Sequence, residues 1–227
     1  VMKLFPTIEE VFSNPLPIYK TIFFPLVTIY LGEDMDKKEG KVHFISVLGD
    51  AYPYLIKDGE RFEWDFIRFD WDGTHYQFDN SVINMEETAP LLEWYASIEE
   101  DYNKHKSEYL KNHSWEEARD SHLEKMRIKR RKISHDLYMY ADMLLSYWIT
   151  RDKYLETGLF IRDYGYYGLN DQVNKPVISL SKTGITNRSD ELVGKVCGYN
   201  YLTYGEDEIK LSIDRKKQQI IQKFYWS

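Results

Sequence analysis

The chain has one cysteine, no long apolar run, and neither Gly nor Pro between Leu91 and Thr157. Each absence excludes something. Cys197 alone cannot form an internal disulfide, so the fold must rest on packing, and a single thiol fits a reducing compartment. It lies between Val196 and Gly198 in a strand-like run, which predicts an inert, buried thiol. The most apolar N-terminal stretch, Ile22 to Leu31, is broken by Pro25 and has no small-residue cleavage site after it. At ten residues it is too short to span a bilayer, so no secretory or membrane segment is expected and the location expected is cytoplasmic.

The stretch without Gly or Pro is 67 residues long, and as one helix it would extend about 100 Å at roughly 1.5 Å per residue. A chain of this length has a radius of gyration of only about 17 Å when compact. The stretch must fold back on itself. With Gly and the remaining Pro confined to its two sides, the reading is α+β: antiparallel β segments flanking a central helical hairpin. We take residues 1–227 as one such domain, β-rich over 18–80, helical over 88–157 and β-rich again over 159–227.

What is abundant is aromatic: 16% of the chain, with 19 Tyr. Tyr buries a large ring while keeping a polar tip, which suits half-exposed sheets and protein interfaces. The net charge of −7 is unevenly spread. Residues 1–87 hold 16 acids against 8 bases, whereas residues 88–157 hold 13 against 12 and residues 158–227 hold 8 against 10. Acidity in the first third argues against nucleic acid and for a basic partner.

Along the chain, Thr7–Phe12 reads as a short helix between prolines, Ile18–Leu31 as one strand or two broken at Pro25, and Lys41–Leu48 as a strand. Asp58-Gly59 and Asp72-Gly73 are two-residue hairpin signals, because a type I′ turn needs positive φ at both positions. Folding at Asp72-Gly73 pairs Trp71 with Thr74, Phe69 with Tyr76 and Ile67 with Phe78, apolar against apolar. Upstream, Phe62, Trp64 and Phe66 form the inward set. Parity then switches to Ile67, Phe69 and Trp71, which predicts a β-bulge at Phe66-Ile67. The result is a meander over 52–57, 60–71 and 74–80 whose outward face shows Glu63, Asp65, Asp70 and Asp79 with Arg68.

Thr88 is the expected N-cap of the first helix, with Pro90 tolerated in the first turn. Leu91, Tyr95, Ile98 and Tyr102 recur at helical spacing, and Lys104–Ser107 is polar all round, so the helix is poorly held there. Ser114 and Glu117 make a capping box after a corner at Asn112-His113. Leu123, Met126, Ile133, Leu137, Ala141, Leu144 and Trp148 line the next helix, with a break raised near Ser134. Gly158 is the expected C′ terminator. Leu159–Asp163 and Pro176–Ser181 read as short strands. Val193–Tyr204, Glu208–Asp214 and Gln218–Trp226 form a terminal meander, with Ile220, Gln222 and Phe224 on one side of the last strand and Ile221, Lys223 and Tyr225 on the other.

Asp70-Trp71-Asp72-Gly73-Thr74 after the apolar run Phe66–Phe69 resembles the first motif of haloacid-dehalogenase-type phosphotransferases. The resemblance implies Asp70 as nucleophile, Asp72 as general acid/base and Mg²⁺ between carboxylates. A hairpin turn accounts for the same five residues, and no strand–helix alternation accompanies them. Ser134-His135-Asp136 has the letters of a triad, but neighbours on a helix point about 100° apart. The six His residues offer no His-x-x-x-His or Glu-x-x-His pair, so no metal or other cofactor is expected. The basic run Lys125–Lys132 is read as a solvated helix face paired with Glu116, Glu117, Asp120 and Glu124, not as a nucleic-acid surface. In its acidity, aromatic content, single Cys and strand-rich tail ending Phe224-Tyr225-Trp226, the chain is similar to bacterial toxin-immunity proteins. That similarity implies a non-enzymatic protein that binds and neutralises a basic toxin domain, with Glu63, Asp65, Asp70 and Asp79 as the partner-binding set. The alternative is a Mg-dependent phosphatase using Asp70 and Asp72.

Overall fold

The computed structural model describes residues 2–32, 40–48, 62–63, 65–111, 135–160, 176, 178–181 and 191–226. The architecture is α+β, with antiparallel sheets and helices in two compact units. One unit comprises Val1–Ala89, Val177–Gly198 and Glu206–Ser227, and the other Pro90–Pro176 and Tyr199–Gly205.

The first unit carries both sheets. Strands β1 (Met2–Leu4), β2 (Phe23–Tyr30) and β3 (Lys41–Val47) make a three-stranded sheet in that order. Between β1 and β2 lie two single-turn helices, α1 (Ile8–Val11) and α2 (Tyr19–Ile22). Thr7 and Glu10 close α1 with a reciprocal capping box. Pro25 does not divide β2. The strand instead shifts register between Pro25 and Val27, a bulge that accommodates the missing N–H.

The larger sheet joins both β-rich ends of the sequence. Its order is β4 (Phe62–Glu63), β5 (Phe66–Trp71), β10 (Gln219–Tyr225), β9 (Glu208–Asp214), β8 (Glu191–Val196) and β7 (Ile178–Leu180), with β6 (Tyr76–Gln77) also on β5. The last strand of the chain therefore lies between β5 and β9. Its alternation is as expected, with Ile220, Gln222 and Phe224 buried and Ile221, Lys223 and Tyr225 outward. The meander over Val193–Tyr204 is shorter than expected, since β8 ends at Val196 and a 3-10 turn follows at Gly198–Asn200.

Two local expectations are corrected. The loop at Asp72-Gly73 is not a two-residue turn, because Trp71 pairs with Tyr76 and Asp70 with Gln77. A shift of two residues keeps every side chain on its expected face, so Ile67, Phe69, Trp71 and Tyr76 are all buried. The parity switch at Phe66-Ile67 is not a bulge within one strand. Phe62 pairs with Ile67 and Glu63 with Phe66, so the chain has reversed direction between Glu63 and Phe66, and Phe66 turns outward. The strand expected over 52–57 and the Asp58-Gly59 turn lie outside the described residues.

In the second unit, α3 (Met85–Lys111), from Pro90 onward, and α4 (His135–Thr157) supply the core. Helix α3 starts a turn before Thr88, whose N–H and hydroxyl both donate to Asn84 O at 2.9 Å. Thr88 is thus a first-turn residue, not the N-cap. Helical geometry fails at His105 (φ −113°, ψ 17°), inside the polar stretch from Lys104 to Ser107. Leu91, Tyr95, Ile98 and Tyr102 are all buried. Along α4, every residue from Tyr140 to Thr150 except Asp142 is buried, as in a helix covered on all sides. Gly158 (φ +69°) closes α4, its N–H donating to Tyr154 O at 2.8 Å.

The central helical hairpin is not confirmed by the described residues. Trp94 meets Tyr140, Tyr102 meets Trp148, and Lys106 meets Asp152 and Glu156. Contacts advance in the same order along both, so the helices run in the same direction. The connection between them, with the capping box, the basic run and the break raised near Ser134, falls on residues 112–134, outside the described residues.

Candidate functional site

The predicted partner-binding acids are spread over the β4–β5–β6 end of the larger sheet. Glu63 is exposed and sits opposite Phe66 on the outward face. Asp70, two residues beyond Arg68 on β5, is half-exposed on that face and accepts from Gln219 Nε2 at 3.1 Å. Asp65 lies in the β4–β5 reversal, where its backbone carbonyl accepts from Phe224 N at 2.7 Å. Asp79 stands apart from the other three, at the N-cap of a 3-10 turn, and takes the Ser81 N–H at 2.9 Å and the Ser81 hydroxyl at 2.7 Å.

The Asp-x-Asp-Gly-Thr segment is the β5–β6 loop. Asp72 Oδ1 accepts from Thr74 N at 2.8 Å, Thr74 Oγ1 at 2.9 Å and His75 N at 2.7 Å. Burial works against its charge, but these bonds outweigh it and hold the carboxyl below its ordinary value. They also explain the four-residue loop, since the side chain replaces the backbone bond that a tight turn would make.

The same outward face is less acidic than β5 alone suggests. Running across the strands from Glu63 and Phe66 come Lys223, Lys210 and Lys195, each directly opposite the next. Glu208 bridges two of them, with Oε2 2.9 Å from Lys195 Nζ and Oε1 3.0 Å from Lys210 Nζ. The Lys195 bond leads in lowering the Glu208 carboxyl, and the Glu208 bond leads in raising Lys210. Lys210 Nζ also lies 4.2 Å from the Tyr225 ring centroid, and Arg68 lies 5.1 Å from that of Phe66. All of these outward residues on β5, β10, β9 and β8 are half-exposed or exposed.

Behind this face is a cluster that sequence reasoning missed. The free edge of β3 is met by side chains and one loop carbonyl, not by another strand. Lys41 N donates to Gly73 O at 2.9 Å, and Lys41 O accepts from Trp71 Nε1 at 3.0 Å. The Tyr76 hydroxyl accepts from His43 N at 2.7 Å and donates to His43 O at 2.8 Å. Gln222 accepts from Ile45 N at 2.9 Å and donates to Ile45 O at 3.3 Å. Glu206 accepts from Val47 N at 3.1 Å and from the Ser46 hydroxyl at 2.7 Å. Alternate residues of a strand point their backbone groups the same way, and here four in succession are satisfied. This also closes the edge to strand addition by another chain.

Two titratable groups are buried in the clasp. Burial pushes the Glu206 carboxyl up to about 7, against the pull of the Ser46 and Val47 bonds. Burial pushes the His43 imidazole down to about 4, against the pull of the Thr74 carbonyl. His43 Nε2 lies 3.0 Å from that carbonyl and so carries the proton, leaving Nδ1 to accept from Thr28 Oγ1 at 2.9 Å. Cys197 is half-buried, not buried as expected, with Sγ 3.8 Å from Glu206 O.

The second unit has its own buried charge. Asp152 accepts from Arg151 Nε at 2.7 Å and from the Tyr102 hydroxyl at 3.0 Å, and lies 2.9 Å from Lys106 Nζ. Burial disfavours its charge, and the two cations outweigh that and hold its carboxyl below the ordinary value. Among the described residues no three His, Cys, Asp or Glu side chains are grouped to hold a metal ion. No described helix is long and apolar enough to cross a membrane.

The molecule is thus an α+β protein with a half-exposed, charge-patterned sheet face. No family model matches the chain, and no curated protein or solved structure matches it either.

Proposed function

We propose that this protein acts by binding another protein rather than by catalysis, as an immunity protein that neutralises a cognate bacterial toxin by steric blockade in the cytoplasm. The observation that supports the reading is the outward face of the larger sheet. Across five adjacent strands it presents Glu63 and Asp70 at one end and lysines and aromatic rings beyond them, all open to solvent at least in part. Such a face speeds encounter through its charges and leaves affinity to aromatic anchors. A basic surface of the partner would meet Glu63, Asp65 and Asp70, with Asp79 at the margin. The half-buried thiol of Cys197 suits a reducing compartment. The phosphatase alternative draws less support, because Asp72 is committed to its own loop and Asp70 to Gln219.

Affinity purification of the tagged protein from its native host should recover a stoichiometric protein partner. Co-expression should then protect cells from that partner's toxicity. Repeated isolation as a lone protein from the host would sink the reading.

A further inference from the structure

The outward face holds a feature that fold stability does not call for. Lys223, Lys210 and Lys195 stand directly opposite one another on β10, β9 and β8. Strands are spaced about 4.8 Å apart, so the three lysine backbones fall within about 10 Å. Like charges placed directly opposite destabilise a sheet. Glu208 relieves Lys195 and Lys210, whereas Lys223 is exposed and has no ion-pair partner among the described residues. Arg68, one row along on β5, adds a fourth positive charge, and its buried Nε has no hydrogen-bond partner. The opposition of Lys223 to Lys210 is the part that works against the free chain.

We infer that the lysine row Lys195–Lys210–Lys223, with Arg68 beside it, is a docking surface for an acidic segment of a protein partner. The inference rests on the protein-binding reading for its occupant and assigns that partner an acidic patch in addition to a basic one. Charge complementarity selects the occupant. Glu63 ends the row on one side and Glu208 sits within it, so the surface fits a few discrete carboxylates. A nucleic-acid strand needs a continuous basic track with aromatic faces free for stacking. Here the Tyr225 and Phe66 rings each already lie against a cation, and the net charge of −7 repels a long polyanion.

The test uses the full chain and a fluorescein-labelled oligoglutamate peptide, followed by anisotropy at low salt. The wild type should bind saturably, and Lys223→Glu should weaken binding by about tenfold. The same substitution should raise the melting temperature by about 1–4 °C, because it turns a lysine–lysine opposition into an attraction. Opposite movement of binding and stability is what a purely structural role would not give. Lys216→Glu, the same charge change in the β9–β10 turn, should leave binding unaltered. The inference is overturned by absence of peptide binding, by equal loss in Lys216→Glu, or by no effect of Lys223→Glu. Equally tight binding of a labelled oligothymidylate would overturn it too, since the surface would then read polyanions in general. The peptide assay needs no native partner, so it can fail while co-purification succeeds, and the reverse.

Discussion

Replacing Glu206 with glutamine should remove one contribution to stability that the wild type loses as pH rises toward 7. The carboxyl is held at about 7 by burial, against an ordinary value of 4.5. Between those values the folded state binds a proton that the unfolded state has released. Stability therefore falls with rising pH across that interval, and the loss is complete above the folded value. At about 1.4 kcal/mol per pH unit the loss is about 3 kcal/mol. No cationic side chain among the described residues bonds the carboxylate, which accepts from Val47 N, Ser46 Oγ and its own backbone N–H. Glutamine keeps an acceptor for Val47 and offers an amide N–H to the Ser46 oxygen, so the clasp on β3 survives.

The wild type alone would hide this. His43 is held at about 4 against an ordinary 6.5, so the unfolded state binds the extra proton and stability rises with pH between those values. That gain is also about 3 kcal/mol. The two slopes overlap with opposite sign, and the wild type should look almost flat from pH 5 to 8. Urea unfolding over that range should show Glu206→Gln close to wild type at pH 5 and about 3 kcal/mol more stable at pH 8. The depressed carboxyls of Glu10, Asp72, Asp152 and Glu208 matter only at lower pH, because their contributions are lost as pH falls through their folded values. A difference between the two proteins that stays constant with pH would refute the reasoning, whatever its sign.

Three further outcomes are expected. Tyr76→Phe removes the one hydroxyl that serves both backbone groups of His43, and should cost about 2–4 kcal/mol in a denaturant titration. Loss of less than about 0.5 kcal/mol would mean that water replaces it. Gly40→Ala should cost about 2 kcal/mol or more, because φ is +100° and the new Cβ would lie 2.3 Å from Gly73 O. Soluble, wild-type-like expression of that variant would count against the close approach of the two loops. Asp152→Ala strands Arg151 and Lys106 around a buried position and should cost about 2–4 kcal/mol, read by the helical circular dichroism signal on heating. The wild-type contribution should be present near neutrality and disappear as pH falls through the lowered Asp152 value.

What could be read from the sequence was whatever has a local cause. The alternation Ile220–Gln222–Phe224, the stripe Leu91–Tyr95–Ile98–Tyr102 and the Gly158 terminator depend on neighbours a few residues away, and all three stand. The Asp72-Gly73 hairpin was legible in its faces but not in its register, since a slip of two preserves the pleat. The reversal between Glu63 and Phe66 produces the same parity switch as a bulge, so the pattern could not tell them apart. The clasp on β3 was invisible for another reason. Tyr76, Gln222 and Glu206 reach backbone groups 33, 177 and 159 residues away, and no local pattern encodes that. One signal was present: Gln222 stands as a polar residue on the apolar side of β10, where an unbonded amide would be costly. A strand elsewhere with an unsatisfied edge is what such a residue requires.

The same distinction bears on charge. Counted along the sequence, acidity belongs to residues 1–87, and the β4–β6 region looks like an acidic plate. In space that plate has no independent existence, because β10 enters beside β5 and β9 lies beyond it. Lys223 is thereby set against Phe66, and Ile221 against Arg68. At long range the protein still carries −7 and attracts basic surfaces. At contact range, within a Debye length of about 8 Å at physiological salt, the face presents acids at one end and a lysine row at the other. A uniformly basic partner would be drawn in and then opposed by the row, so encounter and fit select for different things. A partner that satisfies both must itself be patterned. Reversing Glu63 and Asp70 should therefore slow association, whereas reversing Lys223 should act mainly on dissociation.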